Sequence, residues 1–281
     1  MLESIKEEDD LEDMKQIGIG RTAEVYRVGD GKAVKLFNQG ISPAQVNYEA
    51  AISEKVAAVC LRAPKFFGLA HFEERNGLQY ELIAGETLAL ETARHPFRMI
   101  RFARELGKVH QEIHSINLPG LRSVVEVYVE KIRQYLPLNV NMRNELIEFL
   151  ENGQGETLCH GDFHPENVLV DQDGYLRVID WVNAYCGNPL SDVARTYYLL
   201  RKGVSPVKKR FLIRLTEFFI KPFVARIYLQ SYFSNGPLPK KEFSVWQLII
   251  HIARYKNCIK KEQLYLEKAI RQGLIQHQGF A

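Results

Sequence analysis

The first third of the chain alternates apolar and polar positions in the manner of β-strands. Gly29-Asp30-Gly31 separates two of the alternating segments and indicates a tight turn between them. The predicted strands lie at residues 14–17, 24–28 and 32–37. Residues 65–83 alternate in the same way, and Asn76-Gly77 is predicted to form the turn of a second hairpin.

Helical patterns dominate elsewhere. Ser42-Pro43-Ala44-Gln45 has the residue types of a helix N-terminus, so a helix is predicted from there to about Val59. Further predicted elements are helices within 86–151, a hairpin at 168–180 that turns at 171–174, and helices from Ser191, a predicted N-cap, to the C-terminus. The pattern predicts an α+β fold with a small β-rich N-terminal lobe, residues 1–84, and a larger, mainly helical C-terminal lobe, residues 85–281.

The composition is that of an ordinary globular protein, with 46% hydrophobic and 25% charged residues in 281. The acidic N-terminus does not resemble a signal peptide, and no apolar run is long enough to span a membrane. The four cysteines lack metal-binding spacing and are expected to be free thiols: Cys60, Cys159, Cys186 and Cys258. A cytoplasmic location is therefore expected.

Charge is distributed unevenly along the chain. Residues 1–200 contain 21 Lys/Arg and 30 Asp/Glu, a net charge of −9, whereas residues 201–281 contain 16 Lys/Arg and 4 Asp/Glu, a net charge of +12. A basic segment of this kind is either a solvated surface or a region that meets an anionic partner.

A glycine-rich loop lies between the first two predicted strands, with the sequence Gly18-Ile19-Gly20-Arg21-Thr22-Ala23-Glu24-Val25. Glycines allow backbone N–H groups to approach phosphate oxygens, although a purely structural turn would look the same. A strand rather than a helix is predicted after the loop, which argues against a dinucleotide-binding motif.

Lys35 follows this loop on the neighbouring predicted strand, among apolar residues, where its charge could contact nucleotide phosphates. Glu49 on the following helix could pair with Lys35 and hold it in place. Glu54 is a second candidate for this pairing, and surface positions for either glutamate remain an alternative.

The segment His160-Gly161-Asp162 precedes the hairpin at 168–180, Asn167 stands at the start of that hairpin, and Asp180 follows it. Asp162 could orient a substrate hydroxyl and accept its proton. Asn167 and Asp180 offer the oxygen ligands that Mg²⁺ prefers. The glycine and proline beside His160 and His164 disfavour a helical zinc site, so His160 is predicted to hold the loop structurally.

Taken together, the central motifs resemble the aminoglycoside phosphotransferase family, which has the two-lobed protein-kinase-like fold. They read His160-Gly161-Asp162-Phe163-His164-Pro165-Glu166-Asn167, then Val178-Ile179-Asp180-Trp181, then Asn188-Pro189-Leu190-Ser191-Asp192. The resemblance implies that Asp162 is the catalytic base and that Asn167 and Asp180 hold Mg²⁺. It also implies an ATP (or GTP) site formed by Gly18, Gly20, Val25, Lys35, Glu49, Glu81 and Ile83.

Two other functions are less consistent with the sequence. A protein kinase would need a peptide-binding segment, for which twelve residue steps between Asp180 and Asp192 leave no room. A non-catalytic binding protein with a basic C-terminal lobe remains the alternative, but it would not need Asp162, Asn167, Asp180 and Lys35, and a nucleic-acid partner is not expected. The expected acceptor is a small hydroxylated molecule: an aminoglycoside, a sugar, an amino alcohol or another metabolite.

Overall fold

A computed structural model describes residues 3–4, 14–29, 31–72, 74–202, 211–256 and 258–277. The chain divides into two compact units, one from residues 1–91 and 165–183 and the other from residues 92–164 and 184–281. The hairpin that carries Asn167 and Asp180 therefore belongs to the first unit, although it lies far along the chain from the other strands.

The first unit is built mainly of β-strands. Its first elements are β1 (Glu3–Ser4), β2 (Lys15–Ile19), β3 (Ala23–Val28), β4 (Lys32–Phe37), α1 (Pro43–Val59), β5 (Phe66–Phe72) and β6 (Arg75–Glu81). The strands form one sheet in the order β1-β5-β6-β4-β3-β2, in which only the β1–β5 pair is parallel. Helix α1 begins as predicted, because Ser42 and Gln45 form a reciprocal capping box with Pro43 in the first turn.

The predicted turn at Asn76-Gly77 is wrong, because both residues lie inside β6. Gly77 pairs with Leu36 of β4 and Ala70 of β5 in the middle of the sheet. A Cβ atom there would lie 2.8 Å from the Leu36 side chain and 2.9 Å from the Lys35 carbonyl oxygen. The glycine serves close strand packing rather than a turn.

A second, three-stranded sheet completes the first unit. It consists of β7 (Gly85–Thr87), β9 (Val168–Asp171) and β10 (Leu176–Val178), in the order β10-β9-β7. Gly85 pairs with Asp171, and a Cβ on Gly85 would lie 2.1 Å from the carbonyl oxygen of Val170, so a larger residue could not pair there.

The second unit is mainly helical. After α2 (Leu88–Arg94), within which the chain leaves the first unit, its elements are α3 (Met99–His114), α4 (Val124–Arg133), α5 (Val140–Asn152), β8 (Thr157–Cys159), β11 (Tyr185–Gly187), α6 (Pro189–Lys202), α7 (Phe211–Tyr232), α8 (Lys240–Tyr255) and α9 (Lys260–Gln276). The strands β8 and β11 pair antiparallel. Trp246 of α8 is fully buried and packs edge-on against Tyr128 and Phe149. The strand-rich first unit and helical second unit confirm the predicted α+β class.

Helix α6 starts three residues earlier than predicted, at Pro189, and Ser191 is not its N-cap. The side chain of Asn188 accepts a hydrogen bond from the Leu190 N–H at 2.9 Å, and Pro189 occupies the first turn. Ser191 instead donates its hydroxyl to the Asn188 carbonyl at 2.6 Å. None of the helices that the structure describes is both long enough and apolar enough to cross a membrane.

Helices α3 and α7 approach each other closely at Gly107. A Cβ on Gly107 would lie 2.8 Å from the Tyr228 carbonyl oxygen and 2.9 Å from the Tyr232 nitrogen, both backbone atoms of α7. Ser231 reinforces the contact by donating its hydroxyl to the Arg104 carbonyl at 2.7 Å. Since backbone atoms cannot rotate away, the spacing of these helices depends on the missing side chain.

We predict that Gly107→Ala lowers the free energy of unfolding by about 1–3 kcal/mol, because overpacking outweighs the better helix propensity of alanine. Gly236→Ala is the matched control, since nothing lies within 4 Å of a Cβ there. Urea denaturation of both variants measures the difference. Equal stabilities of the two variants would contradict the close helix contact.

Candidate active site

The glycine-rich loop joins β2 to β3 in the first unit. Gly18 pairs with Val25 beside a β-bulge, and the N–H of Gly20 donates to the Ala23 carbonyl at 2.8 Å. Neither glycine has a positive φ, so the backbone conformation does not demand glycine. A Cβ on Gly20 would come within 3.1 Å of the Ala23 carbonyl oxygen. The absence of side chains keeps the loop backbone uncovered, as a phosphate-binding loop needs.

Lys35 lies opposite Val25 on β4 and contacts two carboxylates of the same unit. Its Nζ lies 2.6 Å from Glu49 Oε1 and 3.0 Å from Asp180 Oδ1. Burial alone would lower the pKa of Lys35, but Asp180 and Glu49 outweigh it and raise that pKa. The lysine therefore stays charged at neutral pH, and Glu49, which is 6% exposed, holds it from the side of α1.

Asp180 has an uncommon backbone conformation. With φ of 62° it is the one non-glycine residue of positive φ among the described residues. The N–H of the preceding Ile179 donates to the Asn167 carbonyl at 3.0 Å, which extends the β9–β10 pairing by one bond. Asn167 and Asp180 therefore flank the open end of one hairpin. Left-handed backbone in an aspartate costs about 1–3 kcal/mol and is concentrated at functional sites.

Glu81 and Ile83 lie where β6 ends, and the Glu81 carboxylate is used structurally. Its Oε2 accepts from the Lys65 N–H at 3.1 Å and from Arg177 Nη2 at 2.9 Å. Burial alone would raise the pKa of Glu81, but these two donors outweigh it and lower that pKa. The N–H of Leu82, between the two residues, donates to the Gly31 carbonyl at 2.8 Å. Any nucleotide contact here is left to backbone groups around Ile83.

Asp162 lies in the second unit, three residues after the end of β8. Its Oδ1 accepts from Arg195 Nη2 at 2.7 Å, and its Oδ2 lies 3.5 Å from His164 Nε2. Burial alone would raise the pKa of Asp162, but the hydrogen bond from His164 and the charge of Arg195 hold it well below the ordinary range. Asp162 therefore remains ionised throughout the neutral pH range.

Asp192 holds the backbone that leads into Asp162. Its Oδ2 accepts from the His160 N–H at 2.6 Å and its Oδ1 from the Gly161 N–H at 3.1 Å. His110 Nε2 and His114 Nε2 of α3 lie 3.1 and 3.4 Å from the same Oδ2. Burial would raise the pKa of Asp192, but its interactions with His110 and His114 hold it well below the ordinary range. The carboxylate is fully buried and ionised, with donors on both oxygens.

The two histidines are themselves oriented by tyrosines of α7. Because the ionised Asp192 can only accept, each Nε2 carries the proton and each Nδ1 accepts from a phenol. Tyr228 O–H lies 2.6 Å from His110 Nδ1, and Tyr232 O–H lies 2.7 Å from His114 Nδ1. His110, His114 and Asp192 are close enough together to hold a metal ion. Their polar atoms already satisfy one another, so we interpret the cluster as a structural hydrogen-bond network.

Sequence reasoning placed His160 correctly as a loop-holding residue. It is buried, and its Nδ1 accepts from the Asp162 N–H at 3.2 Å. The sequence did not reveal two residues of the site. One is Arg195, which lies three residues after Asp192 on α6, and the other is His110. The available signals were the i,i+3 spacing of Asp192 and Arg195 and the i,i+4 spacing of His110 and His114, which place each pair on one helix face.

Protonation of the buried histidines provides a test of this network. Burial lowers the pKa of His110 to about 3, and burial together with the charge of Arg201 lowers the pKa of His251 to about 4. In the unfolded chain the pKa of a histidine is about 6.5. Below that pH the unfolded chain binds protons at these two histidines and the folded chain does not, so the free energy of unfolding decreases as the pH is lowered. Each histidine contributes a slope of about 1.4 kcal/mol per pH unit down towards its folded pKa.

We predict that His110→Gln and His251→Gln each reduce the slope of unfolding free energy against pH by about 1.4 kcal/mol per pH unit, which corresponds to one bound proton. Urea denaturation between about pH 6 and 4.5 measures this slope. His251→Gln is the control, since His251 contacts Tyr198 and Tyr265 instead of Asp192. Only His110→Gln should also reduce the activity of the site that contains Asp162, because only His110 contacts Asp192. An unchanged slope in both variants would contradict the buried neutral state.

The sequence pattern of the phosphotransferase enzyme family matches residues 13–225. No curated protein sequence matches significantly. Several solved kinase structures share the fold. An aminoglycoside-3'-phosphotransferase of type VIII is 17% identical, with a TM-score of 0.58 over 87% of this chain and 98% of that one.

The choline kinase LicA from Streptococcus pneumoniae is 16% identical, with a TM-score of 0.54 over 94% of this chain and 93% of that one. An ethanolamine kinase from Plasmodium vivax is 14% identical, with a TM-score of 0.58 over 96% and 83%. These similarities confirm the predicted protein-kinase-like fold.

Proposed function

The chain belongs to the phosphotransferase enzyme family and acts on a hydroxyl group of a small molecule, and we propose that ATP or GTP is the phosphoryl donor and Mg²⁺ the metal. Structures of related fold support a nucleotide donor, since LicA has been crystallised with AMP and an aminoglycoside phosphotransferase from Streptomyces rimosus with ADP and streptomycin. Gly18, Gly20, Val25 and the backbone around Ile83 would contact the nucleotide, with Glu81 anchoring that backbone.

The observation that carries the proposal is the grouping of Lys35, Glu49 and Asp180 in the first unit. A lysine kept charged by two carboxylates suits contact with the α- and β-phosphates of a nucleotide. Glu49 would hold Lys35 in place while Asp180 is engaged elsewhere. The strained backbone of Asp180 is maintained at the open end of a hairpin, where Asn167 lies on the opposite strand.

Asn167 and Asp180 fit a magnesium ion. One amide oxygen and one carboxylate are hard ligands of the kind that Mg²⁺ takes from proteins, with water and phosphate oxygens completing its shell. When bound, the ion would neutralise negative charge on the phosphate oxygens. The two residues would hold it from the two strands at the open end of the β9–β10 hairpin.

Asp162 would orient the acceptor hydroxyl and accept its proton. Its depressed pKa makes it a weak base, so proton transfer would come late, after the bond to phosphorus has begun to form. His164 and Arg195 would keep the carboxylate ionised and fixed in direction. The acceptor would be a small molecule, because the segment between Asp180 and helix α6 is too short to contain a peptide-binding segment. The strand β11 occupies part of it.

We predict that Asp162→Asn lowers kcat by about 10²- to 10⁴-fold while nucleotide affinity is retained. A coupled ADP-release assay over aminoglycosides, sugars and amino alcohols measures turnover, and nucleotide titration measures affinity. Asp173→Asn, at the exposed tip of the β9–β10 hairpin, is the control. Wild-type turnover in Asp162→Asn would exclude the assigned role. No turnover by the wild type, together with salt-sensitive binding to anionic polymers, would favour a binding protein.

We predict that Asp180→Asn weakens Mg²⁺-dependent nucleotide binding by roughly 10- to 100-fold. Asparagine tolerates the left-handed backbone as aspartate does, so this change removes charge without adding strain. Isothermal titration with and without Mg²⁺ measures the effect, again against Asp173→Asn. Nucleotide affinity that does not respond to Mg²⁺ in the wild type would contradict the metal assignment.

A further inference from the structure

Helix α1 contacts the sheet of the first unit through two polar side chains, Glu49 and Ser53. Glu49 Oε1 lies 2.6 Å from Lys35 Nζ of β4, and the Ser53 hydroxyl lies 2.8 Å from the Tyr80 hydroxyl of β6. Glu49 and Ser53 are four residues apart, so they lie on one face of the helix, a turn apart. Lys35 pairs with Leu78, two residues before Tyr80, so Lys35 and Tyr80 project from the same face of the sheet.

The hydrogen bond between Ser53 and Tyr80 lies in a part of the unit that largely excludes water. Ser53 is 8% exposed, and the Tyr80 ring packs against Phe66, with centroids 5.4 Å apart. Burial, together with the charge of Glu49, raises the pKa of Tyr80, so its hydroxyl stays protonated. Neither hydroxyl has a second hydrogen-bond partner among the described residues. Loss of one would leave the other buried and unpaired.

The strand that holds Ser53 is itself fixed where it ends. Glu81, the residue after Tyr80, accepts from the Lys65 N–H and from Arg177. The N–H of Leu82 donates to the Gly31 carbonyl. Tyr80 therefore ties α1 to a part of β6 that is held by several other hydrogen bonds.

The contact between Glu49 and Lys35 is sensitive to the position of α1. Burial raises the pKa of Glu49, and Lys35 only partly offsets this effect. Asp180 Oδ1 lies 3.0 Å from the same Nζ of Lys35 and is a second partner for it. The attraction between two charges weakens as they separate. A shift of α1 away from the sheet would therefore leave Lys35 to Asp180 and leave Glu49 as an unpaired buried acid.

We propose that Ser53 and Tyr80 are positioning residues of the nucleotide site. Their hydrogen bond fixes α1 against β6 and thereby keeps Glu49 on Lys35. The inference rests on the proposed function, because it takes Lys35 as the group that contacts the nucleotide phosphates. The two hydroxyls act through Lys35, so their loss affects the binding of phosphates and not that of the base.

The first experiment compares a nucleotide with its nucleoside. Isothermal titration with Mg²⁺ uses non-hydrolysable ATP and GTP analogues, and then the nucleoside of whichever analogue binds more tightly. We expect Tyr80→Phe and Ser53→Ala each to weaken binding of the analogue by about 2- to 10-fold, as for the loss of one hydrogen bond, and to change nucleoside affinity by less than about twofold. The double variant should bind the analogue no more weakly than either single variant, since all three lack the same bond.

Tyr26→Phe is the matched control in the same sheet. The Tyr26 hydroxyl donates to Glu24 Oε2 at 3.1 Å. Tyr26 pairs with Val34, the neighbour of Lys35 on β4, so its side chain lies on the face opposite to that of Lys35. This change removes a tyrosine hydroxyl and should leave nucleotide affinity unaltered. Circular dichroism and urea denaturation verify that each variant is folded.

The second experiment follows Lys35 without any nucleotide. Acetylation by acetic anhydride at fixed pH is quantified by mass spectrometry against Lys108, an exposed lysine of α3. Because only the neutral amine reacts, we expect acetylation of Lys35 to increase about twofold or more in Tyr80→Phe and Ser53→Ala and to stay constant in Tyr26→Phe. A merely structural role would lower the free energy of unfolding without changing either readout.

Nucleotide affinity equal to that of Tyr26→Phe, equal losses for nucleotide and nucleoside, additive losses in the double variant, or unchanged acetylation of Lys35 would each overturn the positioning role. The two readouts separate this inference from the proposed function. Tight nucleotide binding by the wild type and by both variants would leave the donor intact and refute the positioning role. Faster acetylation in the variants of a protein that binds no nucleotide would support the hold on Lys35 and count against the nucleotide donor.

Discussion

The geometry of the segment that leads into Asp162 depends on one buried carboxylate. Asp192 accepts hydrogen bonds from the backbone N–H groups of His160 and Gly161 and is bonded by His110 and His114 of α3. Removing a carboxylate from water costs several kcal/mol, and charge-assisted hydrogen bonds on both oxygens offset that cost. Since Asp162 follows Gly161 directly, the direction of its backbone depends on this anchor. Loss of Asp192 would leave two buried backbone donors unpaired.

The same helix that anchors this segment also contributes to the electrostatics of Asp162. Arg195 lies one turn after Asp192 on α6 and pairs with Asp162. One helix therefore fixes the backbone before Asp162, through Asp192, and through Arg195 it helps His164 to keep the Asp162 carboxylate ionised. The first unit follows a similar rule: Lys35 is charged because Glu49 and Asp180 flank it, and without these partners burial would favour the neutral amine. In both units, partly buried charges are paired with partners from distant parts of the chain.

Acceptor choice is not decided by the fold. An aminoglycoside phosphotransferase, a choline kinase and an ethanolamine kinase have this fold at 14–17% sequence identity to the chain. Function within a shared fold depends on the local site, so the acceptor has to be inferred from charge and hydrogen bonding near Asp162. The basic segment at residues 201–281 is consistent with a solvated surface as well as with an anionic partner, so its net charge does not identify the acceptor.

The sequence was sufficient to predict the structural features that depend on interactions between residues close together in the chain. The capping box at Ser42, the β9–β10 hairpin between Asn167 and Asp180, and the glycine loop at Gly18 each depend on residues a few positions apart, and their side-chain types specify them. The motif between His160 and Asp180 indicated phosphoryl transfer for the same reason, because its residues lie close together in the sequence. The prediction at Asn76-Gly77 was wrong because a turn-forming dipeptide was judged without knowing that β4 and β5 would pack on either side of it.

Tertiary structure alone decided which charges meet. Lys35 and Asp180 are 145 residues apart, His110 and Asp192 are 82 apart, and Asp162 and Arg195 are 33 apart. Two glutamates, Glu49 and Glu54, were acceptable partners of Lys35 by sequence, and only the placement of α1 selected Glu49. The energy of a charge depends on its distance to other charges and on its burial. A linear sequence specifies the charges but neither of these quantities, so pairing and ionisation follow only from the fold.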